Sequence, residues 1–139
     1  PCPRNEYLGT TECAPTNTGP LTEREILSLF YKAMGGDKWN INDNWNDPGA
    51  HPCDWYGVYC DVGNQIINRI TMLDNNLQGA VPIELWQMPN LRILDLSTNA
   101  IDFQFEGISE CSSLKGLYLS DTGLSSLESI GELADVGLL

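Results

Sequence analysis

This sequence is short of the side chains that most catalytic sites require. Its 139 residues include one histidine, and they carry 7 basic residues against 19 acidic ones. Catalysis by a serine or cysteine nucleophile with a histidine base would have to use His51. That residue lies between Ala50 and Pro52, in a loop where a surface or structural role is the simpler interpretation. A phosphate-binding loop, a G-x-G-x-x-G motif and an H-E-x-x-H motif are all missing. The sequence therefore predicts no enzyme activity and no cofactor.

Metal ligands are equally poorly arranged. No two cysteines have the C-x-x-C spacing, and one histidine gives little support to a zinc site. Aspartate and asparagine side chains do crowd residues 37–47, and oxygen-rich loops can hold calcium. The spacing of an EF-hand is absent, however, and both residue types are also ordinary turn formers. We expect no metal site.

The charge balance and the hydropathy pattern exclude two classes of partner. The formal net charge is -12, and so acidic a surface repels nucleic acid backbones and anionic lipid head groups. No run of about 18 apolar residues is present to span a membrane. The chain opens on Pro1 and Cys2 without a basic and apolar leader. Together with cysteine pairs close in sequence, this favours a secreted, extracellular chain whose signal peptide has been removed.

The chain does contain a repeat whose period shortens along the sequence. The pattern L-x-x-L-x-L-x-x-N-x-L occurs three times, 24 and then 23 residues apart, and begins again 22 residues later. This pattern predicts an α/β fold, a right-handed leucine-rich repeat solenoid with a parallel sheet on its concave face. Predicted strands cover about residues 69–73, 92–96 and 115–119. The repeated positions are Ile67, Ile70, Met72, Asn75 and Leu77; Leu91, Leu94, Leu96, Asn99 and Ile101; Leu114, Leu117, Leu119, Thr122 and Leu124; and finally Val136 and Leu139.

A helical cap is predicted before the repeats. Thr22 and Glu25 have the spacing of a capping box, and apolar residues follow at helical intervals until Gly35 and Gly36. The aromatic-rich segment 37–62 comes next. It holds three of the four tryptophans, which is too apolar for a solvated loop. We expect this segment to cover the exposed end of the first repeat, because a terminal repeat needs a polar-faced cap.

The five cysteines favour two disulfides. Cys2 with Cys13, and Cys53 with Cys60, are the pairs closest in sequence, although five cysteines allow other pairings. Cys111 aligns with an apolar convex-side position of the neighbouring repeats. We therefore expect a buried free thiol there, the alternative being an intermolecular bridge.

From residue 21 onward the chain resembles plant-type extracellular leucine-rich repeat proteins. The segment from Cys53 to Cys60, C-D-W-Y-G-V-Y-C, matches the C-x-W-x-G-V-x-C element of their N-terminal cap. The Gly-Gly-Asp-x-Trp sequence at 35–39 is similar to algal versions of that cap. Leu77, Gly79, Val81 and Pro82 match the element that follows the strand in the plant-type repeat. The resemblance implies a recognition protein and no catalysis. After Ile101 the Gly-x-Val-Pro sequence is missing, so we expect the later repeats to lack the convex strand.

These observations predict three segments. Residues 1–20 form an irregular cysteine-stapled arm, 21–62 the cap, and 63–139 three repeats with the start of a fourth. The predicted function is recognition of a protein or a glycan on the concave face. The alternative is a building block of an extracellular assembly, joined by a homotypic or heterotypic contact at the uncapped end, residues 136–139. The predicted ligand-binding positions, which strand alternation turns outward, are Arg69, Thr71, Leu73, Ile93, Asp95, Ser97, Tyr118 and Ser120.

Overall fold

A computed structural model describes residues 21–63, 65–103 and 106–123 and the backbone of residues 137–138. The predicted arm 1–20, with its Cys2–Cys13 disulfide, lies outside the described residues. So do the side chains of residues 136–139, on which the predicted end contact depends. The three-segment division of the chain stays a prediction.

Helix α1 spans Glu23–Ala33 and begins as the sequence predicts. The backbone N–H of Glu25 donates to Thr22 Oγ1 over 3.1 Å, and the Thr22 N–H donates to Glu25 Oε1 over 2.8 Å. This capping box satisfies amides that the first helical turn leaves without partners. The buried face of the helix carries Ile26, Leu27 and Phe30. The chain leaves the helix through Gly35, whose φ of +72° glycine adopts easily.

The main sheet has five strands in the order β1-β2-β4-β6-β7. The first pair, β1 and β2, is antiparallel, and every later pair is parallel. Arg69 pairs with Ile93, and Ile93 pairs with Gly116, so the register follows the 24- and 23-residue spacings. The predicted leucine-rich repeat solenoid is confirmed. The strands are β1 Val58–Cys60, β2 Ile67–Thr71, β4 Ile93–Asp95, β6 Gly116–Tyr118 and β7 Gly137–Leu138.

A second, two-stranded parallel sheet corrects one expectation. Strand β3, Gln78–Ala80, pairs with β5, Ala100–Asp102, so the second repeat keeps a strand there without the Gly-x-Val-Pro sequence. Gly79 pairs with Ile101, an offset of 22 residues rather than 24. This shift brings Phe103 level with Val81, and the Phe103 ring packs 5.7 Å from that of Trp86. The expectation was wrong because pairing needs extended backbone and a buried anchor, and an aromatic ring supplies that anchor as well as valine does.

The cap is held by a chain of aromatic rings. Trp45 lies between Trp39 and Trp55, with ring centroids 5.0 and 4.9 Å away. The three tryptophans are buried, each less than one-tenth exposed. The Arg24 guanidinium lies 5.1 Å from the centre of the Trp55 ring, within the range of a cation–π contact. The predicted Cys53–Cys60 disulfide is confirmed, and Cys111 is a free, buried thiol as expected. Burial raises the pKa of the Cys111 thiol to about 11.

Buried asparagines join successive turns of the solenoid. Asn99 Oδ1 accepts from the backbone N–H groups of Asn75 and Leu77 in the preceding repeat, over 3.0 and 2.9 Å. Asn99 Nδ2 donates to Met72 O over 2.8 Å. Asn75 repeats this arrangement one turn earlier, accepting from Ile41 N and donating to Ile41 O. One type of side chain therefore bonds repeat to repeat and the first repeat to the cap.

Replacing Asn99 should destabilise the solenoid strongly. In Asn99→Ala, two N–H donors and one carbonyl of the preceding repeat lose buried partners, each costing about 1–3 kcal/mol. We expect the free energy of unfolding, measured by urea denaturation, to fall by about 3 kcal/mol or more. The control Asn90→Ala changes an exposed asparagine and should alter stability by less than about 0.5 kcal/mol. Equal stability of the two variants would contradict this role.

Removing the cap disulfide should have a smaller effect. The Cys53–Cys60 bond closes a loop of sequence separation 7, so the chain-entropy argument gives it roughly 2–3 kcal/mol. Under non-reducing conditions, the Cys53→Ser/Cys60→Ser variant should unfold at a lower urea concentration than the parent chain. Thermal unfolding followed by tryptophan fluorescence would show the same loss in the cap. The estimate fails if the variant and the parent chain unfold together.

Candidate functional site

The outward side of the main sheet forms one continuous surface, called here the sheet face. It is built from solvent-facing positions of β1, β2, β4 and β6 and of the residues that directly follow the strands. Residues paired across neighbouring strands share a side of the sheet, so the register aligns them in rows. One row contains Tyr59, Arg69, Ile93 and Gly116, and the next contains Thr71, Asp95 and Tyr118. In a leucine-rich repeat this side lines the inside of the horseshoe.

Tyr118 and Gly116 lie on β6, at the side of the sheet face away from the cap. A Cβ atom placed on Gly116 would lie 3.3 Å from Cε2 of Tyr118 and 3.6 Å from Cγ1 of Ile93. The tyrosine ring therefore lies along its own strand, above Gly116 and towards Ile93. Gly116 is buried beneath it. The lack of a side chain at residue 116 leaves this space to the ring, which lies close to the position of Ile93 and forms one apolar patch with it.

The predicted positions do not all face solvent. Arg69, Leu73 and Ser120 are exposed, while Thr71, Ile93, Asp95 and Tyr118 are half-buried. Ser97 is buried, with 6% of its surface exposed, so the prediction that it faces outward is wrong. Ser97 Oγ accepts from the backbone N–H of Ser120 over 3.1 Å. Its own N–H donates to Asp95 Oδ1 over 3.0 Å. Ser97 therefore links two repeats, because the chain turns into the solenoid after β4 instead of continuing the alternation.

Tyr59 belongs to the sheet face but is missing from the predicted set. It lies on β1, directly across from Arg69, and 53% of its surface is exposed. The repeat pattern starts at Ile67 and so gave no reason to include a cap residue. The sequence does offer a signal: a short extended segment ending at Cys60 and paired with β2 turns Tyr59 to the same side as Arg69. With Leu73, 52% exposed, it extends the apolar part of the sheet face towards the cap.

His51 and Glu23 lie in structural surroundings in the cap. His51 Nδ1 accepts from the Cys53 N–H over 3.0 Å and caps the 3₁₀ helix Pro52–Asp54. Burial raises the pKa of the Glu23 carboxyl, and the nearby His51 partly opposes that rise. Within the described ranges no three histidine, cysteine or acidic side chains are grouped to hold a metal ion. No helix in those ranges combines the length and apolar character needed to cross a membrane.

A valine at residue 116 should displace the tyrosine. In Gly116→Val the Cβ atom would already lie 3.3 Å from Tyr118 Cε2, and the two methyl groups beyond it need the space that the ring occupies, so Tyr118 should rotate away. A crystal structure of the variant should show the ring turned towards solvent. Thr71→Val, on the same side of the sheet two strands away, is the matched control and should leave the ring in place. An unmoved ring in Gly116→Val would contradict the packing described above.

Comparisons with known proteins agree with this architecture. Residues 20–61 match the family described as "Leucine rich repeat N-terminal domain". A probable leucine-rich repeat receptor-like serine/threonine-protein kinase of Arabidopsis thaliana is 33% identical over 79 residues, 57% of this chain and 12% of the relative. Pollen receptor-like kinase 3 of the same plant is 32% identical over 104 residues, 73% of this chain and 16% of the relative.

A solved structure gives the same result at the level of the fold. The Arabidopsis receptor kinase HAESA, determined in complex with the peptide hormone IDA and the co-receptor SERK1, superposes with a TM-score of 0.71. The identity is 24%, and the match covers 84% of this chain and 20% of that one. The chain thus spans less than a fifth of the two kinases and a fifth of the HAESA chain. From its repeat register, its disulfide-closed cap and these relatives, the chain is a plant-type leucine-rich repeat protein with an N-terminal cap domain.

Proposed function

We propose that this chain is an extracellular recognition module that binds a protein or peptide partner on the sheet face and catalyses no reaction. The observation that carries the proposal is the apolar surface made by Tyr59, Leu73, Ile93 and Tyr118 on the solvent side of the sheet. Tyrosine and arginine are among the residues enriched where protein interfaces bind most strongly, and Arg69 lies in the same row as Tyr59.

The polar residues of the sheet face support a specific contact. Arg69 lies between Tyr59 and Ile93 along one row, and Asp95 lies between Thr71 and Tyr118 along the next. Apolar groups with a cation on one side and a carboxylate on the other suit a partner that offers both apolar side chains and charges. A peptide or a folded protein has that composition. A neutral glycan would use the tyrosine rings but would leave Arg69 and Asp95 without charged partners, so we favour protein.

The relatives support the same class of function. HAESA was solved with a peptide hormone and a co-receptor protein bound, and its chain shares this fold. The sequence relatives are named as kinases, but we do not propose kinase activity for this chain, because it spans only 12% and 16% of their lengths. Extracellular location is supported by the Cys53–Cys60 disulfide, since such bonds persist in oxidising compartments. The alternative function as an assembly building block stays a prediction, because it depends on side chains outside the described residues.

The proposal is tested with the purified full chain and secreted proteins from its source organism. Proteins retained by the immobilised chain are identified by mass spectrometry, purified, and titrated by isothermal calorimetry. The triple variant Arg69→Ala/Ile93→Ala/Tyr118→Ala should bind the partner about 100-fold more weakly, since two bulky anchors and a charge are lost. Urea denaturation should show that the variant still folds.

A second triple variant controls for general loss of surface. Leu29→Ala/Ile83→Ala/Lys38→Ala removes two exposed apolar side chains and one exposed cation away from the sheet face. It should bind within about twofold of the parent chain, because isolated surface substitutions have little effect. Full affinity in the sheet-face variant, or equal loss in the control, would overturn the proposal.

A further inference from the structure

A second surface lies at the end of the sheet where strands β2, β4 and β6 begin. It adjoins the sheet face. It is an open cavity of about 400 Å³, called here the edge groove. All of its lining residues except Ile66 have polar or charged side chains, and two of them are cations. Its charged and hydrogen-bonding side chains include those of Asp61, Asn68, Asn90, Arg92, Ser113 and Lys115.

The repeat register places the two cations side by side. The backbone N–H of Arg92 donates to Asn68 O over 2.8 Å, and the N–H of Lys115 donates to Arg92 O over 2.7 Å. The three residues therefore occupy the same position in consecutive turns. Neighbouring strands lie about 4.8 Å apart, so Arg92 and Lys115 project from adjacent backbones. One carboxylate, or two that are close together, can reach both side chains.

Neither cation is used within the described part of the chain. Arg92 and Lys115 are exposed, and their side chains have no hydrogen bond or ion pair among the described residues. The side chains of Lys32, Lys38 and Arg69 are also without a partner among the described residues, so what distinguishes the groove is that its two cations lie on adjacent turns. Arg24, by contrast, bonds the carbonyls of Asp47 and Ala50 and covers the Trp55 ring.

The rest of the lining is already engaged or neutral. Asp61 Oδ1 accepts from Asn68 Nδ2, which fixes that carboxylate on the Asn68 side of the groove. Ser113 Oγ donates to the Pro89 carbonyl over 3.0 Å. Asn90 remains as a neutral donor and acceptor beside the cations. The groove thus offers two positive charges and an amide on one side and one negative charge on the other.

We propose that the edge groove binds carboxylate side chains of an acidic segment in the protein partner, with Arg92 and Lys115 as the contacting residues. This inference rests on the proposed function, since the segment would extend from a partner held on the sheet face. Arg69, which follows Asn68 in sequence and pairs with Ile93, provides a third cation on the adjoining row of the sheet face. A densely charged polysaccharide fits less well, because Asp61 would repel it, whereas a peptide can place separate carboxylates away from Asp61.

The overall charge of -12 does not prevent such binding at physiological salt. The Debye length is then about 8 Å, so a carboxylate in the groove interacts mainly with charges of the groove itself. Distant acidic residues are screened. The binding should weaken as salt rises further, because the pairs with Arg92 and Lys115 are solvent-exposed and screened as well.

The test uses the full chain, labelled with ¹⁵N, at about 0.15 M salt. The probe is a synthetic peptide of alternating glutamate and glycine, and the matched control probe replaces every glutamate by glutamine. The glutamate peptide should shift the backbone amide signals of Arg92, Ser113 and Lys115, and the glutamine peptide should not. Arg92→Gln/Lys115→Gln should weaken binding about fivefold to tenfold, the loss expected for two exposed ion pairs.

A charge-matched variant separates a site from general attraction. Lys32→Gln/Lys38→Gln removes two exposed lysines of the cap, in a different cavity, and should leave the affinity within about twofold. Equal weakening in both double variants, or equal shifts with both peptides, would overturn the inference. Binding of a polyuronate oligosaccharide in place of the glutamate peptide would also overturn it and assign the groove to glycan.

The result is independent of the outcome for the sheet face. If the glutamate peptide fails to bind while the Arg69, Ile93 and Tyr118 variant still loses its partner, only the edge groove inference is wrong. If that sheet-face variant keeps its partner, the proposed function is wrong whatever the peptide does.

Discussion

The structure depends on backbone hydrogen bonding between successive turns, which the side chain of Asn99 completes. Each turn buries N–H and C=O groups where the chain leaves the sheet, and unpaired buried groups of this kind are costly. Asn99 pairs with two donors and an acceptor of the preceding turn. Thr122 takes the same position in the next repeat, where its hydroxyl donates to Leu119 O and bonds no other residue of the described ranges. Asn99 thus bonds three backbone groups of the preceding turn, whereas Thr122, at the same position one turn later, bonds a carbonyl of its own turn.

The cap solves the same problem at the start of the solenoid. Asn75 bonds Ile41 through both of its amide atoms, so the loop after α1 takes the place of a preceding repeat. The tryptophan cluster covers the apolar end of that repeat, and β1 adds an antiparallel edge strand that ends at the disulfide. The cap therefore does more than shield the core. It extends the sheet face by one strand and contributes Tyr59 to it.

The sheet face and the edge groove are two consequences of one register. Pairing residues 24 and 23 positions apart lines up Ile93 with Gly116 on the outward side, and Asn68, Arg92 and Lys115 at the strand starts. Residues far apart in sequence become neighbours about 4.8 Å apart. Stacked turns can in this way present an apolar surface and a pair of cations side by side, although the composition of the chain is strongly acidic.

The sequence by itself determined the repeat, the capping box, the cap disulfide and most outward positions, because period, spacing and strand alternation are local properties of the chain. Tertiary structure alone decided three features. The 22-residue offset between β3 and β5 brought Phe103 to the core, Ser97 turned inward to bond the next repeat, and Tyr118 settled over Gly116. Each depends on how one turn packs against its neighbour. A one-dimensional pattern identifies which residues repeat, but only the stacked turns decide which of them touch.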